Sequence, residues 1–101
     1  MYKKVRDGRI DYDYEVTTEN MNMYVKGRIV TIYVHNVIIN DVYVDLYTIP
    51  EKFTPRTSIY SQGVNDQGEL FLIAALIFNK LRIFKINDNI TSGRGIITYG
   101  I

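Results

Sequence analysis

The chain alternates along much of its length. Over residues 10–16, Ile10, Tyr12, Tyr14 and Val16 fall on one side and Asp11, Asp13 and Glu15 on the other. That period of two is what a strand buried on one face requires. Residues 17–21 read as a turn. Residues 22–25, the turn Lys26-Gly27-Arg28 and residues 29–39 then form a predicted hairpin, with Gly27 setting its turn. In the second arm Val30, Ile32 and Val34 point one way, and Thr31, Tyr33 and His35 the other. Asn40-Asp41 has turn chemistry. Beyond it, Val42, Val44 and Leu46 are expected inside, with Tyr43, Asp45 and Tyr47 outside.

Pro50 and Pro55 bracket an irregular crossing over residues 49–56, because proline donates no ladder hydrogen bond. A strand is expected over residues 57–62 and a loop over residues 63–68. Residues 70–78 are apolar on both faces, as in a strand buried on both sides. Leu70, Ile73, Ala74 and Ile77 also satisfy helical spacing. The short length, the flanking Gly68 and Asn79, and the neighbouring strands favour a strand. One of its faces, Phe71, Ile73 and Ile77, is more apolar surface than a small monomer leaves wet, which places it between sheets or at a subunit interface. A strand over residues 80–86, a polar loop over residues 87–95 and a terminal strand over residues 96–101 complete the chain. Seven or eight short strands predict an all-β domain over residues 10–101: a small antiparallel β-sandwich, jelly roll or Greek-key barrel. Residues 1–9 read as a connection or a frayed terminus.

Composition supports this. The chain has 9 Tyr and no Trp, and alanine occurs only at Ala74 and Ala75. β-Branched and aromatic residues suit a pleated, half-buried surface. At 101 residues the chain is long enough to close a core without cross-links, and it has no cysteine to make one. A net charge of +1 supplies no field to steer nucleic acid. The longest apolar run is too short to span a bilayer, so no membrane insertion is expected. The basic start, Met1 to Arg6, lacks the apolar stretch of a signal peptide.

Few residues suggest catalysis. Asp11, Asp13 and Glu15 would stand in a line, about 6.5–7 Å from one to the next. A calcium loop instead curls its ligands around the ion on a glycine turn, so a solvated face and no metal are expected. His35, the only histidine, has no nucleophile or companion ligand patterned beside it. Ser92-Gly93-Arg94-Gly95 lacks the strand–loop–helix setting of a nucleotide loop, and glycines 63, 68, 93, 95 and 100 read as positive-φ turn residues. Asn89-Ile90-Thr91 matches a glycosylation acceptor without a secretion signal to support it. No enzyme activity and no cofactor are expected.

Two groups of residues suit saccharide binding. Tyr43, Asp45 and Tyr47 offer aromatic planes beside a carboxylate. The hairpin tip Asn65, Asp66 and Gln67 offers donors and acceptors. Arg56 and Tyr60, on the approach to that tip, can fork onto an anion and stack on a sugar.

From Leu46 onward the chain resembles a known family. Leu46-Tyr47-Thr48-Ile49-Pro50-Glu51-Lys52-Phe53-Thr54-Pro55 is similar to a stretch in C-terminal domains of phage tail and baseplate proteins. Gly68-Glu69-Leu70, Lys80-Leu81-Arg82-Ile83-Phe84 and the ending Gly95-Ile96-Ile97-Thr98-Tyr99 follow in the family's order. The family is that of receptor-binding and baseplate proteins from phages of Gram-positive bacteria, such as lactococcal phages. The resemblance implies a β-barrel or sandwich head, assembled as a homotrimer beside other tail and baseplate proteins. It also implies a place in the virion, acting at the host cell surface on a cell-wall or capsular saccharide. A purely structural baseplate or fibre module is the alternative. A fragment of a polysaccharide-degrading tailspike is a third reading, opposed by the lack of a facing pair of acids. The family has no fixed site motif, so it assigns no residue as a ligand contact.

Overall fold

The computed structural model describes residues 12–101. Residues 1–9, expected to be a connection or frayed end, lie outside the described residues, as do Ile10 and Asp11 of the first predicted strand. The described chain is all-β, with eight strands: β1 Tyr14–Thr17, β2 Met21–Lys26, β3 Ile29–Ile39, β4 Tyr43–Thr48, β5 Ile59–Val64, β6 Leu70–Ala75, β7 Lys80–Lys85 and β8 Ile90–Gly100. Every pairing is antiparallel, in one sheet of order β1-β2-β3-β8-β5-β6-β7-β4. β5, β6 and β7 follow one another as hairpins, while β4 returns beside β7 and β8 beside β5. These are two overlapping Greek keys. Among the described residues no helix is long and apolar enough to cross a membrane.

The sheet curls around one core. Met21, Met23, Val25, Val30, Ile32 and Val34 line its first half; Phe71, Ile73, Leu81 and Ile83 line its second. The halves meet along a short β5–β8 ladder, Gly63↔Gly95 and Val64↔Arg94. Past that point the strands part, and Ser61 Oγ reaches the Ile96 carbonyl at 2.7 Å in place of a backbone bond. The irregular crossing between the prolines is observed, with a 3₁₀ turn at Glu51–Phe53. It caps the open end of the curl, burying Ile49 and Phe53. Tyr99 anchors it by donating its hydroxyl proton to the Phe53 carbonyl at 2.8 Å.

Three bulges change the expected faces. On β3, Val34 pairs with Gly95 and Val37 with Gly93, so one extra residue sits in β3, and Asn36 there has φ 53°. Between Val37↔Gly93 and Ile39↔Ile90 the extra residue lies on β8, where Ser92 has φ 56°. The two cancel and return Ile39 and Ile90 to the core. Residues 90–95 are therefore strand rather than the expected loop; the bulge and the glycines broke the alternation there. On β4 the register slips at Leu46, between Asp45↔Arg82 and Tyr47↔Leu81. Tyr47 is turned onto the core, where Tyr14 also packs, instead of facing out with Tyr43 and Asp45. Val42, ahead of β4, is exposed rather than inside.

The apolar run also ends earlier than expected. β6 stops at Ala75, and Leu76 to Asn79 turn the chain into β7 through a left-handed Asn79, φ 60°. Ile77 is thus exposed in a turn, while Phe71 and Ile73 are wholly buried in the domain's own core. Likewise β5 runs two residues further than expected, so Gly63 is strand, not loop. Of the glycines expected at positive φ, only Gly68 has it, at 77°. A Cβ on Gly93 would stand 2.8 Å from the Phe71 ring, and one on Gly95 2.6 Å from Ile73 Cδ1. These strand glycines make room for the core rather than turning the chain.

Candidate functional site

The hairpin tip is built first for its own closure. Asn65 is buried, its Oδ1 accepting from the backbone N–H of Gln67 at 3.1 Å and of Glu69 at 2.8 Å. Its Nδ2 donates to Glu69 Oε1 at 2.7 Å. Asp66 and Gln67 are exposed, and Asp66 accepts from Arg94 at 2.7 Å. Beside the tip lies a shallow depression lined by Gly68, Glu69, Leu70, Ile86, Asn87 and Asp88. Arg56 is exposed in the crossing, and Tyr60 stands near the start of β5. Five residues of extended chain, roughly 16 Å, separate Tyr60 from Asn65. The tip and its approach are therefore two places, not one.

Tyr60 instead joins Tyr43 and Asp45 on the outer face of the second half-sheet. Register places Tyr60, Ala74, Arg82 and Asp45 in one cross-strand row, and Gln62, Leu72, Phe84 and Tyr43 in the next. Arg82 organises this face. Its Nε donates to Asp45 Oδ1 at 2.6 Å and its Nη2 to Oδ2 at 3.2 Å, while its guanidinium lies 4.0 Å over the Tyr43 ring and 5.3 Å from that of Phe78. The Arg82 hydrogen bond holds the Asp45 carboxyl below its ordinary range. Around this satisfied pair the surface is apolar, with Leu70, Phe78 and Ile86 exposed.

The outer face of the first half-sheet is different, and sequence reasoning missed it. One row there reads Glu15, Tyr24, Thr31, Thr98, and the next Thr17, Asn22, Tyr33, Ile96. Tyr12, expected inside, stacks outside on Tyr24, with centroids 4.7 Å apart. The chain bends there at Asp13, whose N–H still donates to the Val25 carbonyl at 2.8 Å while its Oδ2 accepts from the Gly27 N–H at 2.7 Å. Tyr24 meets Tyr33 edge-on at 5.9 Å. Burial first, then the Glu15 carboxylate and the flanking phenols, raise the Tyr24 hydroxyl's pKa, so it remains a proton donor.

Beside these rings, Glu15 Oε1 and Asn22 Oδ1 are buried without a hydrogen-bond partner among the described residues. Glu15 pairs with Tyr24, two residues from Asn22, so the two acceptors sit diagonally on neighbouring strands of one face. Buried acceptors are nearly always paired, and an unpaired one costs about 1–3 kcal/mol. The outward direction of Tyr33 was legible from alternation; that of Tyr24 was not assigned, and the orphaned oxygens were not legible. His35 stands half-buried at the β3 bulge, its backbone N–H donating to the Asn20 carbonyl at 2.9 Å. Among the described residues no three His, Asp or Glu side chains group as metal ligands.

No protein-family model matches the chain, and no curated protein or solved structure is significantly similar to it.

Proposed function

We propose that the chain is a non-enzymatic recognition domain that binds a saccharide on the Tyr12–Tyr24–Tyr33 face. The observation that carries this reading is the cluster of outward tyrosines, Tyr12, Tyr24 and Tyr33, with Glu15 and Asn22 in the same two rows. Aromatic planes cover the apolar faces of sugar rings, and carboxylate and amide groups take the hydroxyls. The resemblance of residues 46–101 to phage receptor-binding heads supports the same reading. On it, the domain acts at the virion's tail tip against a host cell-wall or capsular saccharide.

The apolar second half-sheet, with Leu70, Phe84, Tyr43 and Ile86, supports assembly with further copies of the chain as a homotrimer, or docking on other tail proteins. This face also favours the alternative, a structural baseplate module without a ligand. Glycan-array binding by the wild type, lost in Tyr33→Ala, is the expected result; no binding to any glycan selects the structural module. Light scattering at low concentration is expected to give three times the chain mass, reduced in Ile86→Lys. A monomer would refute the trimer.

A further inference from the structure

We infer that copies of this chain stack head to tail, the acidic end of one domain receiving the basic end of the next. The inference goes beyond the saccharide and trimer readings and depends on neither.

Register sorts the charges by strand end. The turns after β1, β3, β5 and β7 lie at one end of the antiparallel sheet. The β2–β3 hairpin, the β4–β5 crossing and the β6–β7 turn lie at the other. The first end carries Glu19, Asp41, Asp66, Glu69 and Asp88. The described cations there are already engaged, Arg94 by Asp66 at 2.7 Å and Lys85 by the Asn89 side chain at 3.0 Å. The second end carries Lys26, Arg28, Lys52 and Arg56, all exposed, and the half-buried Lys80. Its described acids are Glu51 and Asp13, and Asp13 is held by the Gly27 N–H at 2.7 Å. The described chain begins at this basic end, where the Asp13 N–H donates to the Val25 carbonyl. The sequence ahead of it is also basic on balance, with Lys3, Lys4, Arg6 and Arg9 against Asp7 and Asp11.

A net charge of +1 thus conceals two opposite ends. β3, 11 residues long, sets them roughly 36 Å apart. That is several times the Debye length of about 8 Å at physiological salt, so the ends do not cancel within one copy. A second copy supplies the opposite charge to either end. Complementary potentials steer the encounter and fix its orientation, and a nearly neutral whole leaves little repulsion between copies. Each end also offers apolar surface beside its charges: Ile38 and Val42 are exposed at the acidic end, Ile29 and Ile77 at the basic one. A depression of about 260 Å³, lined in part by Glu69 and Asp88, gives a basic side chain of the next copy a place to enter. A two-fold pairing would set like end against like. The contact is therefore heterologous, and it repeats along the strand direction without closing into a small ring.

The test is sedimentation velocity of the full chain over a concentration series at roughly 0.01 M and 1 M salt, where the Debye length is about 30 Å and 3 Å. Mass in the higher salt defines the base unit. In the lower salt the mean mass is expected to climb with concentration in multiples of that unit. Two double variants each neutralise one end, Asp41→Asn with Asp88→Asn and Lys52→Gln with Arg56→Gln. All four residues are exposed, and circular dichroism checks that each variant keeps the wild-type fold. Each variant alone is expected to associate at least tenfold more weakly than wild type. Mixed in equal amounts, they should form pairs of base units that do not grow, since one native acidic end and one native basic end remain between them. A mass independent of concentration in low salt would overturn the inference, as would association of equal strength in both salts. So would a mixture that forms no pairs, or either variant alone growing as wild type does.

Discussion

Gly63 and Phe71 are register partners in the β5–β6 ladder, and the phenyl ring covers the glycine where a Cβ would stand. Gly93, on β8, lies under the same ring. The one large aromatic of β6 thus packs directly on backbone, which lets the two half-sheets meet at the Gly63↔Gly95 step. Ring over glycine is a known device for curving a sheet.

Gly63→Ala forces the buried ring out of place and is expected to cost about 2–3 kcal/mol, the upper part of the range for overpacking a tight core. Gly68→Ala has open space around it and only its φ of 77° to strain, so about 1 kcal/mol is expected. Urea midpoints of the two variants compare them directly, and a Gly68 variant weaker than the Gly63 variant would contradict the packing account.

The strand alternation made Val30, Ile32 and Val34 legible as core, and the curled antiparallel fold with them. What alternation could not carry was parity after a bulge. Asn36, Leu46 and Ser92 each add one residue to one strand, and nothing in their side chains announces it. Tyr47 therefore read as outward though it packs inward, and residues 90–95 read as loop. Phe71 is a second case: its burial against backbone is set by Gly63 and Gly93 on two other strands. On the tyrosine face, Tyr33 was readable as outward. Tyr12 was not, because its direction depends on the bend at Asp13, whose carboxylate accepts from the Gly27 amide.

Tyr99 ties the crossing to the sheet, and burial raises its hydroxyl's pKa well above the ordinary tyrosine value. A pKa raised in the folded state favours folding fully below the unfolded value of 10.0 and loses that contribution as pH rises past it. Wild-type stability is expected to decline above pH 10. Tyr99→Phe should lose about 1–3 kcal/mol at neutral pH, since the Phe53 carbonyl is left unpaired. Its decline above pH 10 should also be shallower. Thermal melts from pH 7 to 11 on both proteins measure this; parallel curves would show that Tyr99 does not carry the effect.

Two adjacent residues at the β5–β6 tip should behave oppositely. Asn65→Ala removes a buried amide that holds Gln67, Glu69 and the Glu69 carboxylate, and about 2 kcal/mol or more of stability should go with it. Asp66→Ala breaks only the exposed pair with Arg94, and its denaturation midpoint should stay within error of wild type. A stable Asn65 variant would mean the turn closes by other contacts.

The Asp45–Arg82 pair gives a pH signature of the opposite sign. Arg82 lowers the Asp45 pKa, so the pair supports the fold above the ordinary value of 3.8 and loses that support as pH falls through the lower folded value. Asp45→Asn is expected to be slightly less stable than wild type at pH 6 and equal to it once wild-type Asp45 is protonated. A deficit that persists into acid would assign it to packing against Tyr43 rather than to charge.

β8 joins both halves of the sheet, pairing with β3 along most of its length and with β5 at the glycine step. Of the eight described strands it is the last to leave the ribosome. Until it does, β3 and β5 each present an unfilled edge, and the Phe71 ring has only one of the two glycines it covers. Open edges recruit other strands, and pairings between distant segments form slowly. Until β8 emerges, the nascent domain therefore stays as two unsealed hairpin sets, and cellular yield depends on how quickly that strand is delivered and on what shields those edges meanwhile.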